Sequence, residues 1–230
     1  AARWQRPGVR RASRGGAAGT TRAWAALEAA AVALPGRGRT VRAVLWTVQR
    51  ARLQRVLVRG LAHDSSLRRQ RRSWPIAVEA AFGRKGVEPL VVDLPTHGPV
   101  SFPGYIDRID ATEARTLVVV DYKTGSGYGY DAIPKQTKQD LSADLVDRGR
   151  KLQLVLYGLA ARQLVGLPKT EVEAWFWFVD KGDLHRGGRV DLQQEQRLKS
   201  VLDVFVGGIR GGSYPAHPRR ARRVPHPPTS

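Results

Sequence analysis

The 230-residue chain contains no cysteine and no methionine. Without cysteine it can form no disulfide bond, and it cannot hold an iron–sulfur cluster through thiolates. The absence of cysteine is compatible with a reducing cytosol, so we expect a cytoplasmic protein. Because methionine is missing, Ala1 is not an initiator residue. We therefore expect the chain to be a fragment or a diverged copy of a larger protein.

Long apolar runs are also missing, since no run approaches the roughly 20 residues that a membrane-spanning helix requires. We therefore expect no membrane partner. The apolar stretch 24–34 is interrupted by Glu28, and we interpret it as a helix rather than a targeting peptide. The chain has no Gly-x-x-x-x-Gly-Lys-Ser/Thr loop, so ATP hydrolysis does not reside in it. Its length suits one α/β domain with a substantial core, and leaves no room for a helicase as well.

The formal net charge of +19 is unevenly distributed along the chain. Residues 1–72 contain 17 arginines and two acids, and residues 73–213 contain 18 basic and 18 acidic residues. Residues 214–230 add four arginines and no acid. These differences predict a basic, partly helical N-terminal region (1–72, with 1–20 disordered), a neutral domain (73–213) and a basic disordered tail (214–230).

The arginine-rich flanks predict contact with the phosphate backbone of a nucleic acid. Arg10–Arg11, Arg68–Arg69 and Arg71–Arg72 are candidate contacts with phosphates rather than with bases. The alternative is a coding bias toward arginine, because the chain contains 31 arginines and only eight lysines.

Hydrophobic periodicity predicts alternating helices and strands, and hence an α/β fold with a mixed central β-sheet flanked by helices. Helices are predicted over 22–34, 41–72, 144–165 and 192–209, and strands near 75–82, 88–94, 100–110, 116–123 and 171–180. A turn is predicted over 182–188, and a loop over 128–138 is predicted to lie beside the candidate site and face DNA. On the strand 171–180, Trp175 and Trp177 are predicted to pack rather than to stack on bases.

Two of these strands carry most of the candidate chemistry. The β-branched run that begins at Val118 ends at the polar residues Asp121-Tyr122-Lys123, and a polar loop over 111–116 precedes it. If that loop centres near Ala114, Asp107 lies opposite Asp121, with Cβ atoms about 5 Å apart on one face. Lys123 shares this face because side chains alternate along a strand.

Two carboxylates at this separation repel each other unless a cation lies between them. Carboxylate oxygens with room for water and phosphate suit Mg²⁺ or Mn²⁺. A neighbouring ammonium group could orient the attacking water or stabilise the transition state of phosphodiester cleavage. The alternative for an isolated Asp-x-Lys is an exposed hairpin with ordinary surface charges.

Three motifs together resemble the RecB-type branch of the PD-(D/E)xK nucleases. They are Gly104-Tyr-Ile-Asp107-Arg-Ile-Asp110, Val120-Asp-Tyr-Lys-Thr-Gly125 and Gln153-x-x-x-Tyr157, in the order and with the spacing of that family. The branch includes the nuclease domains of RecB, of AddB-like helicase–nucleases and of CRISPR-associated exonucleases, and the similarity runs from about Trp74 to Pro218. It implies a restriction-endonuclease-like core that cuts DNA with Mg²⁺ or Mn²⁺, in repair or recombination beside a helicase.

The resemblance also implies roles for individual residues. Asp107 and Asp121 match the metal-binding aspartates of the family, and Lys123 matches its catalytic lysine. Gln153 and Tyr157 match the pair that lies beside the active site and the DNA backbone. Residues four apart share one face of a helix, which agrees with such a pair. The alternative is that Gln153 and Tyr157 are ordinary surface residues of a helix.

Four further residues are weaker candidates. Arg108 is a candidate contact with substrate, and Asp110 is expected to orient Arg108 rather than to bind metal. For Glu79 we favour a salt bridge, with Arg108 as a candidate partner, over a metal-ligand role. The family usually carries a metal-binding histidine upstream of the core strands, but His63 lies too close to Trp74 for that position. We therefore favour a solvated histidine on an arginine-rich helix.

Two missing features keep a second interpretation open. AddB-like relatives often clamp the domain with an iron–sulfur cluster held by cysteines, and this chain has no cysteine. The metal-binding histidine expected upstream of the core strands is also missing, because His63 lies too close to Trp74. The alternative to a nuclease is therefore a catalytically impaired nuclease-fold module that binds DNA or a helicase. A basic protein associated with RNA or the ribosome is a third possibility.

Overall fold

The computed structural model describes residues 43–135, 144–181 and 184–213, and the single positions Ala25 and Ala29. The predicted disordered segments 1–20 and 214–230 lie outside the described residues, as does nearly all of the predicted helix 22–34. The helices are α1 (Ala43–Arg71), α2 (Gln153–Val165) and α3 (Leu192–Arg210). The strands are β1 (Ser73–Phe82), β2 (Leu90–Leu94), β3 (Gly98–Phe102), β4 (Gly104–Thr112), β5 (Leu117–Lys123), β6 (Val172–Phe178) and β7 (Leu184–Arg189).

Five strands form one mixed sheet in the order β1–β4–β5–β6–β7. β5 and β6 pair in parallel and are joined by the crossover that contains α2, whereas the other neighbouring pairs are antiparallel. β2 and β3 form a separate antiparallel pair. The predicted mixed sheet flanked by helices is confirmed. Among the described residues, no helix has both the length and the apolar character needed to cross a bilayer.

The main core lies on the face of the sheet that α2 covers, and α3 packs against α2 and β2. Strand alternation sends every second side chain of β5 and β6 into this core. Its fully buried members include Leu117, Val119, Val172, Ala174, Phe176, Leu154, Val155 and Leu198. The intervening residues face the other way, where Val118, Val120 and Trp177 form a smaller cluster. Trp175 packs against that cluster, as predicted for the two tryptophans.

Two predicted elements are shorter or divided in the structure. The predicted strand 100–110 is divided into β3 and β4 around Pro103, because proline has no N–H to continue a ladder. The predicted helix 144–165 begins only at Gln153. Asp147, Arg148 and Gly149 before it have positive φ angles, which a helix does not accommodate.

The predicted turn over 182–188 is wrong from Leu184 onward, where β7 begins. In the structure a Cβ atom on Gly187 would collide with the carbonyl oxygen of Ala174 on β6. Glycine is therefore required at this position by the close approach of a neighbouring strand, which local sequence does not reveal.

Candidate active site

The predicted hairpin of β4 and β5 has the register that the site requires. Arg108 pairs with Val120, and continuing that register by one residue brings Asp107 opposite Asp121. The Asp107 Oδ2 atom accepts a hydrogen bond at 2.8 Å from the backbone N–H of Tyr122. Asp107 therefore reaches across to β5 at the position next to Asp121.

Lys123 connects this carboxylate pair to the first turn of α2. Its Nζ atom lies 2.5 Å from Asp121 Oδ2 and donates a hydrogen bond at 2.9 Å to Gln153 Oε1. The Gln153 Nε2 atom donates to the Tyr157 hydroxyl at 3.3 Å, one helical turn further on. The structure thus brings together all five residues that match the family motifs.

Burial and neighbouring charges set the electrostatics of this site. Asp121 is 4% exposed, and burial raises the pKa of its carboxyl group. The hydrogen bond and charge of Lys123 oppose that rise, and the negative charge of Asp107 adds to it. Burial likewise raises the pKa of the Tyr157 hydroxyl, which therefore keeps its proton at neutral pH.

Two neighbouring carboxylates are the hard oxygen ligands that suit a divalent cation. Asp121 Oδ2 is buried, and it contacts the Lys123 ammonium group at 2.5 Å. A cation shared by Asp121 and Asp107 would relieve the repulsion between the two carboxylates. Within the described ranges, no group of three or more His, Cys, Asp and Glu residues is placed to hold a metal. The two aspartates would therefore share a cation with water and substrate oxygens, as Mg²⁺ prefers.

Arg108 lies on the opposite face of the sheet, because it alternates with Asp107 along β4. Its Nη1 atom lies 2.8 Å from Asp64 Oδ1 on α1, and its Nε atom lies 2.9 Å from Asp110 Oδ1. It also donates to the Tyr122 hydroxyl at 2.9 Å. This arrangement separates Arg108 from the carboxylate pair, so the geometry does not support the predicted contact with substrate.

The two other weak candidates take different positions. Asp110 contacts Arg108 on the opposite face. Glu79 lies on β1 beside Asp107, between the pairs Val78–Arg108 and Ala80–Ile106, but it is exposed, with a φ of 47°, and the described part of the chain contains no ion pair to it. The candidate salt bridge between Glu79 and Arg108 is therefore not formed, because two aspartates occupy the guanidinium.

His63 is half-buried and packed against other rings, rather than the solvated residue that was predicted. The centroid of its ring lies 5.2 Å from that of His185, on which it stacks, and 5.9 Å from that of Trp177. Its Nε2 atom is buried. These contacts place His63 on the face of Arg108 rather than of Asp121, so it stands apart from the two aspartates.

Asp64 is the buried residue of α1 that sequence reasoning missed. It is 6% exposed and pairs with Arg68 at 2.7 Å, four residues along the helix, as well as with Arg108. The i,i+4 spacing of Asp64 and Arg68 was the available local signal. No local sequence signal indicates the contact between Asp64 and Arg108, because these residues lie 44 positions apart.

We predict that Asp110 makes the stability of the protein depend on pH. Burial raises the pKa of Asp110 to about 6, although Arg108 opposes the rise. Because the folded protein binds this proton more tightly than the unfolded chain, protonation of Asp110 stabilises the fold. This stabilisation is complete below the unfolded pKa of about 3.9 and is lost as the pH rises through the folded pKa. Between about pH 4.5 and about pH 7, the wild-type protein should therefore lose about 2 kcal/mol of unfolding free energy relative to Asp110→Asn.

Urea denaturation at the two pH values measures this difference. Asp93→Asn is the matched control, because Asp93 is exposed on β2. The prediction fails if Asp110→Asn and the wild type keep a constant difference in unfolding free energy across the range.

A family model described as the PD-(D/E)XK nuclease superfamily matches residues 3–223. The chain belongs to this superfamily. The recognition of the family from its three motifs is thereby confirmed, and the mixed sheet flanked by helices agrees with the restriction-endonuclease-like fold of its members.

Three similar proteins are each named as a subunit of an ATP-dependent helicase/deoxyribonuclease. The one from Symbiobacterium thermophilum is 39% identical over 92 residues, which cover 37% of this chain and 7% of that protein. The one from Desulforudis audaxviator is 31% identical over 144 residues, which cover 60% of this chain and 11% of that protein. The one from Acetivibrio thermocellus is 32% identical over 116 residues, which cover 49% of this chain and 9% of that protein. The chain thus matches only 7 to 11% of the length of these superfamily relatives.

Proposed function

We propose that this chain is a metal-dependent DNA nuclease of the exonuclease type that works in DNA repair or recombination with a helicase, in the cytoplasm. The observation that carries the proposal is the convergence of Asp107, Asp121 and Lys123 beside Gln153 and Tyr157. The names of the three relatives support deoxyribonuclease activity and a link to a helicase.

Asp107 and Asp121 would hold Mg²⁺ or Mn²⁺ in this proposal. A divalent cation supplies Lewis acidity toward a phosphate oxygen and lowers the pKa of a bound water. Lys123 Nζ lies beside Asp121, where an ammonium group can donate a hydrogen bond to the attacking water or to a phosphate oxygen. Gln153 holds that ammonium group in place through its Oε1 atom. The protonated Tyr157 hydroxyl can donate to the DNA backbone.

A stripe of arginines on α1 supports DNA as the substrate. Residues three and four apart on a helix share a face, and this stripe is exposed. Its members are Arg52, Arg55 and Arg59. The Arg52 Nη2 atom lies 3.2 Å from Asp180 Oδ2, which also accepts from the backbone N–H of Gly125 at 3.2 Å. Gly125 follows Lys123 by two residues, so the stripe begins near the catalytic end of β5 and suits contact with phosphates.

The proposal is tested by a digestion panel on the wild-type chain with Mg²⁺, with Mn²⁺ and with EDTA. The substrates are linear duplex DNA, linear single-stranded DNA, circular DNA and RNA, each with a fluorescent label. We expect degradation of linear DNA that requires either metal and stops when EDTA removes it. Circular DNA and RNA should remain intact. Intact linear DNA in every metal condition contradicts the proposal.

The alternative is a catalytically impaired module that binds DNA or a helicase. The position of His63 on the face opposite Asp121 favours it, because the described chain then supplies only two aspartates to the cation. Titration calorimetry with Mn²⁺ separates the two functions. A nuclease should bind Mn²⁺ at one site that Asp107→Asn removes. DNA binding without any such metal binding favours the module.

A further inference from the structure

The loop that follows β5 presents an exposed aromatic side chain. Tyr128 is 88% exposed, more than any other large hydrophobic residue in the described part of the chain. Gly127 and Gly129 on either side of it have φ angles of 78° and 82°, in the left-handed region that glycine adopts without strain. The Gly-Tyr-Gly sequence thus holds the ring at the outside of a tight turn.

Contacts on both sides hold this loop in place. Before Tyr128, the Gly125 N–H donates to Asp180. After it, Ile133 is fully buried, and its carbonyl oxygen accepts a hydrogen bond from Arg186 Nη1 at 2.8 Å. The exposure of Tyr128 is therefore a feature of an anchored loop.

The neighbouring tyrosine shows the contrast. The Tyr130 ring packs edge-on against Phe176 and Phe178 at 5.0 and 5.1 Å, and Lys151 Nζ lies 3.7 Å from its centroid. Tyr130 therefore supplies the aromatic packing that anchors the loop to the core. Tyr128, two residues earlier, contributes no such packing and leaves its ring faces available to a ligand.

The position of Tyr128 relative to the candidate catalytic residues suits a ligand that also reaches Lys123. Tyr128 follows Lys123 by five residues, and a chain spans at most about 3.3–3.6 Å per residue, so their Cα atoms lie within about 18 Å of each other. A DNA strand with a phosphate at Lys123 would place its next few nucleotides within this range. Aromatic rings stack on bases of any identity, because every base has a π-face.

We propose that Tyr128 stacks on an unpaired nucleobase of the strand whose phosphate lies at Asp121 and Lys123. The inference rests on the proposed function, because it takes DNA as the ligand. In a duplex, neighbouring base pairs cover both faces of every internal base, and only a terminal base pair exposes one face, so stacking on Tyr128 away from such an end requires an unpaired nucleotide. Tyr128 is thus a residue that positions the substrate and favours unpaired ends.

Fluorescence anisotropy in EDTA tests the inference without any cleavage. The probes are a labelled single-stranded thymine oligonucleotide and an abasic oligonucleotide of the same length and charge. We expect the wild-type chain to bind the thymine probe about tenfold more tightly. Tyr128→Ala should lose this preference, whereas Tyr128→Phe should keep it because the ring remains.

Leu192→Ala is the matched control, because Leu192 is 75% exposed at the start of α3 and should leave the preference unchanged. Thermal unfolding of Tyr128→Ala should match the wild type, since the ring is not packed. In the cleavage assay, Tyr128→Ala should raise KM for single-stranded DNA and leave kcat unchanged, because stacking is equal in the ground and transition states.

The inference is overturned if the wild type shows no preference for the base-containing probe, or if Tyr128→Ala retains it. These outcomes are separable from failure of the proposed function. A chain that cleaves no DNA but shows the Tyr128-dependent preference contradicts the nuclease and supports the stacking role. A chain that cleaves linear DNA without the preference contradicts the stacking role alone.

Discussion

Asp121→Ala and Lys123→Ala should each abolish Mg²⁺-dependent degradation of linear DNA, with a loss of about 10³-fold or more. Asp121→Ala removes one of the two carboxylates that would hold the metal, and its partner Asp107 alone leaves too few protein ligands. Lys123→Ala removes the ammonium group that lies 2.5 Å from Asp121. Initial rates on labelled linear DNA measure both losses.

DNA binding should persist in both variants, because the exposed arginines of α1 are unchanged. Anisotropy with labelled DNA measures this binding, and thermal unfolding checks the fold. We expect Asp121→Ala to fold normally, because burial disfavours the charged form of this carboxyl group. Lys199→Ala is the control, since Lys199 pairs with Glu195 on α3. Full cleavage by both Asp121→Ala and Lys123→Ala would remove the assignment of the site.

Arg108→Ala should destabilise the protein by about 3–5 kcal/mol, without acting on the catalytic face. Asp64 and Asp110 are 6% and 2% exposed, and the substitution leaves both without the guanidinium that they share. An uncompensated buried charge costs more than the ion pair itself contributes. Chemical denaturation at neutral pH measures the change in unfolding free energy.

The matched control for this prediction is Arg69→Ala, because Arg69 is exposed near the end of α1. The double variant Arg108→Ala/Asp110→Asn should recover part of the lost stability, since it removes one of the unpaired acids. Equal unfolding free energies for the wild type and Arg108→Ala contradict the buried network.

The hairpin shows how much of the candidate site could be predicted. The positions of Asp107, Asp121 and Lys123 follow from the period of 2 along a strand and from the centre of a short loop. Gln153 and Tyr157 follow from helical spacing. These are local relations, in which residues close in sequence determine each other's direction. The register in the structure agrees with them.

The partners of Arg108 and His63 show what local patterns leave open. Alternation along β4 is local and places Arg108 on the face opposite Asp107, but it does not reveal the partner Asp64, which lies 44 positions away. His63 stacks on His185 of β7, a strand that the sequence did not predict. Both contacts join residues far apart in the chain, so no local pattern encodes them.

By itself, the amino-acid sequence determined the strand and helix that carry the five motif residues, and the charge difference between the neutral domain and its basic flank. The tertiary structure decided which face of the sheet α1 would cover, and therefore which acids became buried partners of Arg108. It also decided that Tyr130 would be packed and Tyr128 exposed. The physical reason is that backbone periodicity acts over a few residues, whereas burial depends on which distant surfaces meet.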